Sequence, residues 1–222
     1  MDSQLWIKVD DYFTGKLVGQ EKSFSDALKR LEKEGFPSIN VPPTLGKLLY
    51  LLVKLIKARN VLEIGTLGGY SSLWLAKALP KGGKVTSLEI DRRHAEVSME
   101  NIRNAGLEEK VEILIGNAED TLSNLSRKRV GTFDLVFIDA DKERNPVYFK
   151  WAVNHSHPGS VIVVDNVVRD GKVVEGSDDD PSVRGTRQLV ELVSKDQRVE
   201  STAIQTVSGK GHDGFMVVRV KD

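Results

Sequence analysis

Two apolar runs in the second half of the chain end abruptly in polar, mostly acidic residues. FDLVFIDADKERN runs from Phe133 to Ile138 in mostly apolar, β-favouring residues, then presents Asp139, Asp141 and Lys142. SVIVVDNVV repeats the pattern, with Val161 to Val164 followed by Asp165 and Asn166. Together Asp139, Asp165 and Asn166 offer two carboxylates and an amide oxygen from two strand ends. Oxygen ligands with no histidine or cysteine among them select a hard cation, Mg²⁺ before Ca²⁺ or Mn²⁺, and disfavour zinc. An ion held in this way keeps coordination positions for water or substrate oxygens, and adjacent hydroxyls placed there would be oriented and made more acidic. Lys142 lies one turn beyond Asp139, within reach of the released proton. Helix capping by Asp139 and a plain turn at Asp165–Asn166 would explain either pair alone; their recurrence on successive strands favours a site. Asp141 reads equally as a cap, a water-mediated contact or a direct participant.

A second group of residues lies upstream. The run NVLEI leads into LEIGTLGGYSS, where glycines 65, 68 and 69 allow a tight turn and close approach of the backbone to a ligand. The spacing G-x-x-G-G differs from the dinucleotide pattern G-x-G-x-x-G. Glu63, two residues before the first glycine, would repel a phosphate and suit a ligand carrying positive charge. S-adenosylmethionine has an ammonium and a sulfonium and no phosphate. Glu89 ends the next apolar run, KVTSLEI, at the distance where an acid grips a ribose diol.

These residues need elements to position them. The chain reads as helical up to Lys57, with helices over Phe24 to Glu34 and Leu45 to Lys57. Strands and helices then alternate: NVLEI, a helix from Tyr70 to Leu79, KVTSLEI, a helix from Arg92 to Ala105, VEILI, and a helix from Ala118 to Arg127. FDLVFI, a helix from Pro146 to Asn154, SVIVV and a helix from Val183 to Lys195 follow. VESTAIQTV and DGFMVVRV close the chain as a hairpin around SGKGHDG. This rhythm predicts an α/β fold: a doubly wound, Rossmann-like, mostly parallel seven-stranded sheet with an antiparallel C-terminal hairpin and an N-terminal helical extension. Residues 1–222 are expected to form one domain, with 1–57 contributing to an acceptor site or a dimer contact. In such sheets ligands bind beyond the carboxyl ends of the strands, where Glu63, Gly65, Glu89, Asp139 and Asp165 all fall.

Composition narrows the partners. Lysine plus arginine equal aspartate plus glutamate, 32 against 32, so no global field recruits nucleic acid or an anionic membrane. The absence of cysteine removes disulfides, thiolate metal sites and a cysteine nucleophile. MDSQLWIKVDDYF lacks the features of a signal peptide, and LGKLLYLLVKLI is interrupted by lysines and too short to span a bilayer, so a cytoplasmic protein is expected. Histidines 94, 155, 157 and 212 have no metal-ligand spacing. In the acidic run Ser177 to Asp180, Asp180 reads as the N-cap of the helix opened by Pro181, ahead of any second cation site.

VLEIGTLGGYSSLWLA, VTSLEID, FDLVFIDADK and VIVVDNVVRDG closely resemble the cation-dependent O-methyltransferases, which include catechol and caffeoyl-CoA O-methyltransferases and small bacterial relatives. The resemblance covers nearly the whole chain. IDADK followed by VVDNV is specific, whereas the glycine loop is shared by many methyltransferases. It implies metal binding by Asp139, Asp165 and Asn166, and Lys142 as catalytic base. It also implies that Glu63, Gly65, Thr66, Ser71, Glu89, Ala118 and Asp139 surround S-adenosylmethionine. Catechol O-methyltransferase has His-Trp where this chain has Ala140–Asp141, which places the chain nearer the caffeoyl-CoA and bacterial branch. The expected reaction is methyl transfer to one hydroxyl of a vicinal aromatic diol, by a homodimer of this chain. A nicotinamide-dependent oxidoreductase is disfavoured by the loop spacing and Glu63, a non-catalytic cofactor-binding domain would not need Lys142, and RNA methylation would call for a basic stripe.

Overall fold

The computed structural model describes residues 3–19, 21–175 and 179–222; Ser177 and Asp178 of the acidic run lie outside them. Three helices open the chain: α1 (Ser3–Phe13), α2 (Lys22–Lys33) and α3 (Pro43–Leu55), with a π-helical turn at Thr14–Val18. The alternating part is β1 (Asn60–Ile64), α4 (Tyr70–Ala78), β2 (Lys84–Glu89), α5 (Arg92–Asn104), β3 (Val111–Ile115), α6 (Ala118–Arg127), β4 (Phe133–Ile138), α7 (Asn145–Asn154), β5 (Ser156–Asp165) and α8 (Pro181–Lys195). The hairpin β6 (Val199–Ser208) and β7 (Gly211–Val220) ends it.

The strands form one seven-stranded sheet in the order β3-β2-β1-β4-β5-β7-β6. β3 to β5 run parallel, and β7 inserts antiparallel between β5 and β6. The reversal of order between β1 and β4 opens a crevice at their carboxyl ends.

Strand side chains alternate between the two faces, so one sequence feeds two cores. Leu62, Ile64, Val136, Ile138, Ile162 and Val164 pack with Leu122, Phe149 and Leu189 under α6, α7 and α8. Val61, Leu135, Phe137, Val161 and Val163 pack with Phe24, Leu49, Leu73 and Ile102 under α2 to α5. Because both faces are covered, the central strands read as continuous apolar runs. Eight of the nine α4 residues are buried, because this helix is enclosed between the sheet and α2–α3.

Glycine brings α8 close to the site. A Cβ on Gly185 would run into the carbonyl oxygen of Lys142 and the Cα of Glu143, so the helix can rest directly on the short 3-10 turn Lys142–Arg144. Asp180 accepts from the Ser182 amide at 2.8 Å and caps α8, with Pro181 in its first turn, as the sequence predicts. By contrast, α1 buries none of its residues and lies along β6.

Candidate active site

The glycine loop is held between β2 and β4. Gly65 has φ +99°, and a Cβ there would collide with the Asp139 carbonyl oxygen. The Asp139 amide in turn donates to Ile64 at 2.8 Å, so the loop and the end of β4 touch through backbone alone. Glu89 staples the loop from the other side. Its Oε2 accepts from the amides of Leu67 at 2.8 Å and Thr66 at 3.2 Å, and its Oε1 from Asp91 at 2.9 Å. An ionised carboxylate has about four acceptor sites, so roughly one remains for a ligand hydroxyl.

Glu63 lies behind this loop. On β1 it shares the face of Val61 and is paired in register with Ser87 of β2. Its Oε2 accepts from Ser72 and Ser87, while Oε1 has no partner. The side chain is fully buried, and burial pushes its pKa up to about 7 against the pull of the Ser71, Ser72 and Ser87 hydroxyls, with Asp139 adding to the rise.

Asp139, Asp165 and Asn166 stand at neighbouring strand ends. Lys142, itself buried, donates to Asp139 Oδ1 at 2.5 Å. Burial, and after it the Asp139 carboxylate, pushes Asp165 up to about 7. Asn166 has φ +59°, a left-handed conformation that asparagine tolerates better than most residues. The strain, of order 1–3 kcal/mol, is held by the loop that follows. There Asp213 Oδ1 on β7 accepts from the amides of Val168, Arg169 and Gly214 at 2.9–3.0 Å. Among the described residues no group of three or more His, Cys, Asp or Glu converges, so a cation here would depend on the Asn166 amide oxygen. A buried carboxylate whose ionisation is disfavoured, with a second carboxylate and an amide oxygen beside it, fits a hard divalent ion that keeps several positions for other ligands.

Two cavities meet at this point. One, of about 710 Å³, runs from the glycine loop and Glu89 past Gly116–Glu119 to Asp139, Lys142 and Asn166. The other, of about 670 Å³, is largely apolar and lies between the N-terminal helices and the β6–β7 hairpin, with Asp165 and Asn166 at its floor. Asn166 and the segment Ile39–Val41 line both.

The family model for O-methyltransferases matches residues 19–220. The chain belongs to the O-methyltransferase family. It is 42% identical to a catechol O-methyltransferase of Niastella koreensis over 221 residues, covering 100% of both proteins. The fold superposes with a TM-score of 0.97 and 44% identity on an O-methyltransferase from Bacillus cereus in complex with SAH, covering 99% of this chain and 100% of that one. The O-methyltransferase TomG of Streptomyces achromogenes, involved in tomaymycin synthesis and solved with SAM, gives a TM-score of 0.96 at 42% identity, with 100% of both chains covered. The protein is an S-adenosylmethionine-dependent O-methyltransferase.

Within this O-methyltransferase, Gly65, Thr66, Ser71, Glu89, Ala118 and Asp139 line the first cavity together with Lys142, whereas Glu63 does not reach its surface. Asp141, whose role the sequence leaves open, accepts from the Tyr148 hydroxyl at 2.6 Å. Asp139 faces Lys142 and caps no helix. His94, which has no metal-ligand spacing in the sequence, lines the first cavity with Nδ1 3.7 Å from Glu89 Oε1. Tyr148, Arg144 and Arg169 also line it, and no spacing rule marks them in the sequence. The second cavity is walled by the hairpin from Thr206 to Phe215 together with residues of α1, α3 and Ile39–Pro42, and no described residue between Val168 and Ser182 lines it.

Proposed function

We propose that this O-methyltransferase is divalent-cation-dependent and methylates one hydroxyl of a catechol-type aromatic diol. The observation that carries the reading is the meeting of the two cavities at Asn166, with Asp139 and Lys142 lining the first and Asp165 lining the second. The names of relatives, such as the catechol O-methyltransferase of Niastella koreensis, agree with a vicinal diol as acceptor. Asp139, Asp165 and Asn166 would hold a Mg²⁺, Ca²⁺ or Mn²⁺ ion, and Glu63, Gly65, Thr66, Ser71, Glu89, Ala118 and Asp139 would surround the cofactor, Glu63 from behind the loop. When bound, the cofactor supplies an electrophilic methyl group and the cation acidifies and orients neighbouring hydroxyls.

The chain's own residues then do three things. Glu89 fixes the loop and offers its remaining acceptor position to a ribose hydroxyl. Lys142, aimed by Asp139 and supported from below by α8, takes the acceptor hydroxyl's proton at Nζ. The apolar second cavity holds the ring and excludes water, so orientation supplies much of the rate. In this reading residues 1–222 act as one methyltransferase domain, and residues 1–57 wall the acceptor cavity through Phe13, Leu17 and Leu48. A homodimer agrees with the exposed Leu5, Ile7, Val9 and Tyr12 on α1, and light scattering reads it directly.

The deciding experiment is transfer of labelled methyl from S-adenosylmethionine to catechol with and without chelator. Chelation should abolish turnover and Mg²⁺ should restore it. Full activity in chelator would overturn the cation reading, and no transfer to any diol would overturn the acceptor reading.

A further inference from the structure

The first cavity does not end at the residues expected around the cofactor. Past Asp139 it continues along Asp141, Lys142, Arg144, Tyr148 and Arg169. Most charges in this arm have partners; Arg169 and the exposed Glu143 stand apart. Lys142 pairs with Asp139 at 2.5 Å, Arg144 pairs with Glu119 at 3.4 Å, and Asp141 accepts from Tyr148. Arg169 has no ion pair and no side-chain hydrogen bond among the described residues, and its Nε is buried without a partner. Asp180 lies close enough to feel its field, but that carboxylate caps α8 through Ser182.

The backbone that carries this side chain is fixed. Arg169 sits at φ +56°, just after Asn166, with its amide and that of Val168 both fixed on Asp213. Farther along the same segment, Arg187 of α8 donates to the carbonyls of Lys172 and Val173, at 2.9 Å each. A partly desolvated guanidinium with an unmet donor, carried on a fixed backbone, is suited to a carboxylate, which it can engage with two parallel hydrogen bonds.

We propose that Arg169 is a specificity-determining residue: from an acceptor ring in the second cavity, a carboxylate would reach across Asn166, which lines both cavities, to this guanidinium, so that the enzyme prefers carboxylated catechols to neutral ones. The proposal rests on the catechol reading above. The methionine carboxylate of the cofactor is the other source of the same chemistry, and the test separates the two.

The test is titration calorimetry on the full chain with Mg²⁺, wild type against Arg169→Gln and Arg169→Lys. The ligands are 3,4-dihydroxybenzoate and catechol, each titrated into the S-adenosylhomocysteine complex, and S-adenosylhomocysteine itself titrated alone. Wild type should bind dihydroxybenzoate more tightly than catechol. Arg169→Gln should weaken dihydroxybenzoate by about 10–100-fold, the worth of one charged hydrogen-bonded pair, and weaken catechol far less. Arg169→Lys should keep part of the preference, because it retains the charge without the planar fork. Equal loss for both diols would make Arg169 a structural prop and overturn the proposal. Weakened S-adenosylhomocysteine with unchanged discrimination between diols would assign the guanidinium to the cofactor, and also overturn it. A wild type that methylates catechol without preferring the carboxylated diol overturns the proposal alone; a wild type that neither binds nor methylates either diol overturns the catechol reading with it.

Discussion

Replacing Glu63 with glutamine tests the electrostatics of the buried acid behind the loop. The side chain is fully buried with one oxygen held by Ser72 and Ser87 and the other unpartnered. Glutamine copies the protonated acid: its carbonyl can accept from both serines, and its NH₂ takes the place of an oxygen that had no partner. The wild-type carboxyl ordinarily titrates at 4.5 and here at about 7, so the folded state holds the proton longer than the unfolded one. Stability is therefore greatest at low pH and declines as pH rises, until Glu63 ionises in the folded protein. The full decline at neutral pH and above is about 3 kcal/mol. Urea unfolding of the cofactor-free protein, wild type against Glu63→Gln, reads the difference between them and cancels the other titrating groups. That difference should move in favour of glutamine by roughly 2–3 kcal/mol between about pH 5 and about pH 8.5. A difference that stays constant with pH would refute the reasoning, since Glu63 would then carry the same charge in both states.

Two further outcomes are expected. Lys142→Ala should lower kcat by about 10²–10⁴, partly rescued at high pH, and Lys142→Arg should not restore it because guanidinium cannot accept the proton; a pH–rate profile in which Lys142→Arg matches wild type would reduce Lys142 to a positioning charge. Gly65→Ala should destabilise the fold by about 1–3 kcal/mol or more and weaken S-adenosylhomocysteine, because the new methyl meets the Asp139 carbonyl at a φ that alanine rarely adopts. Denaturant unfolding and calorimetry check both parts.

The order and type of the strands were legible because the apolar runs are nearly unbroken and bounded by glycine and acids. β1, β3 and β4 fall on the expected residues, and the helices differ by one or two residues at their ends. β5 is longer than SVIVV suggested: it starts at Ser156, where the polar SHPG still pairs beside Phe133. Residues next to a motif in sequence, such as Asp139 and Lys142 or Asp165 and Asn166, were legible as a group. Glu63 shows the limit. Its position two residues before Gly65 suggested a ligand contact, but its side chain points towards α4, where Ser72 donates to it, and is fully buried. Arg169 and Tyr148 were not legible, because their placement follows from a strained loop and the packing of α7 rather than from any local pattern.

Gly185 touches no ligand and lines neither cavity, yet its missing side chain sets how closely α8 can approach Lys142. A side chain at that position would act as a shim, lifting the turn and tilting the ammonium away from Asp139. In a library of random α8 variants selected for methyl transfer, position 185 should therefore be as intolerant as the acids themselves, while variants there still fold well enough to be recovered in the soluble fraction. The most sensitive point on the helix is the one where the chain carries nothing at all.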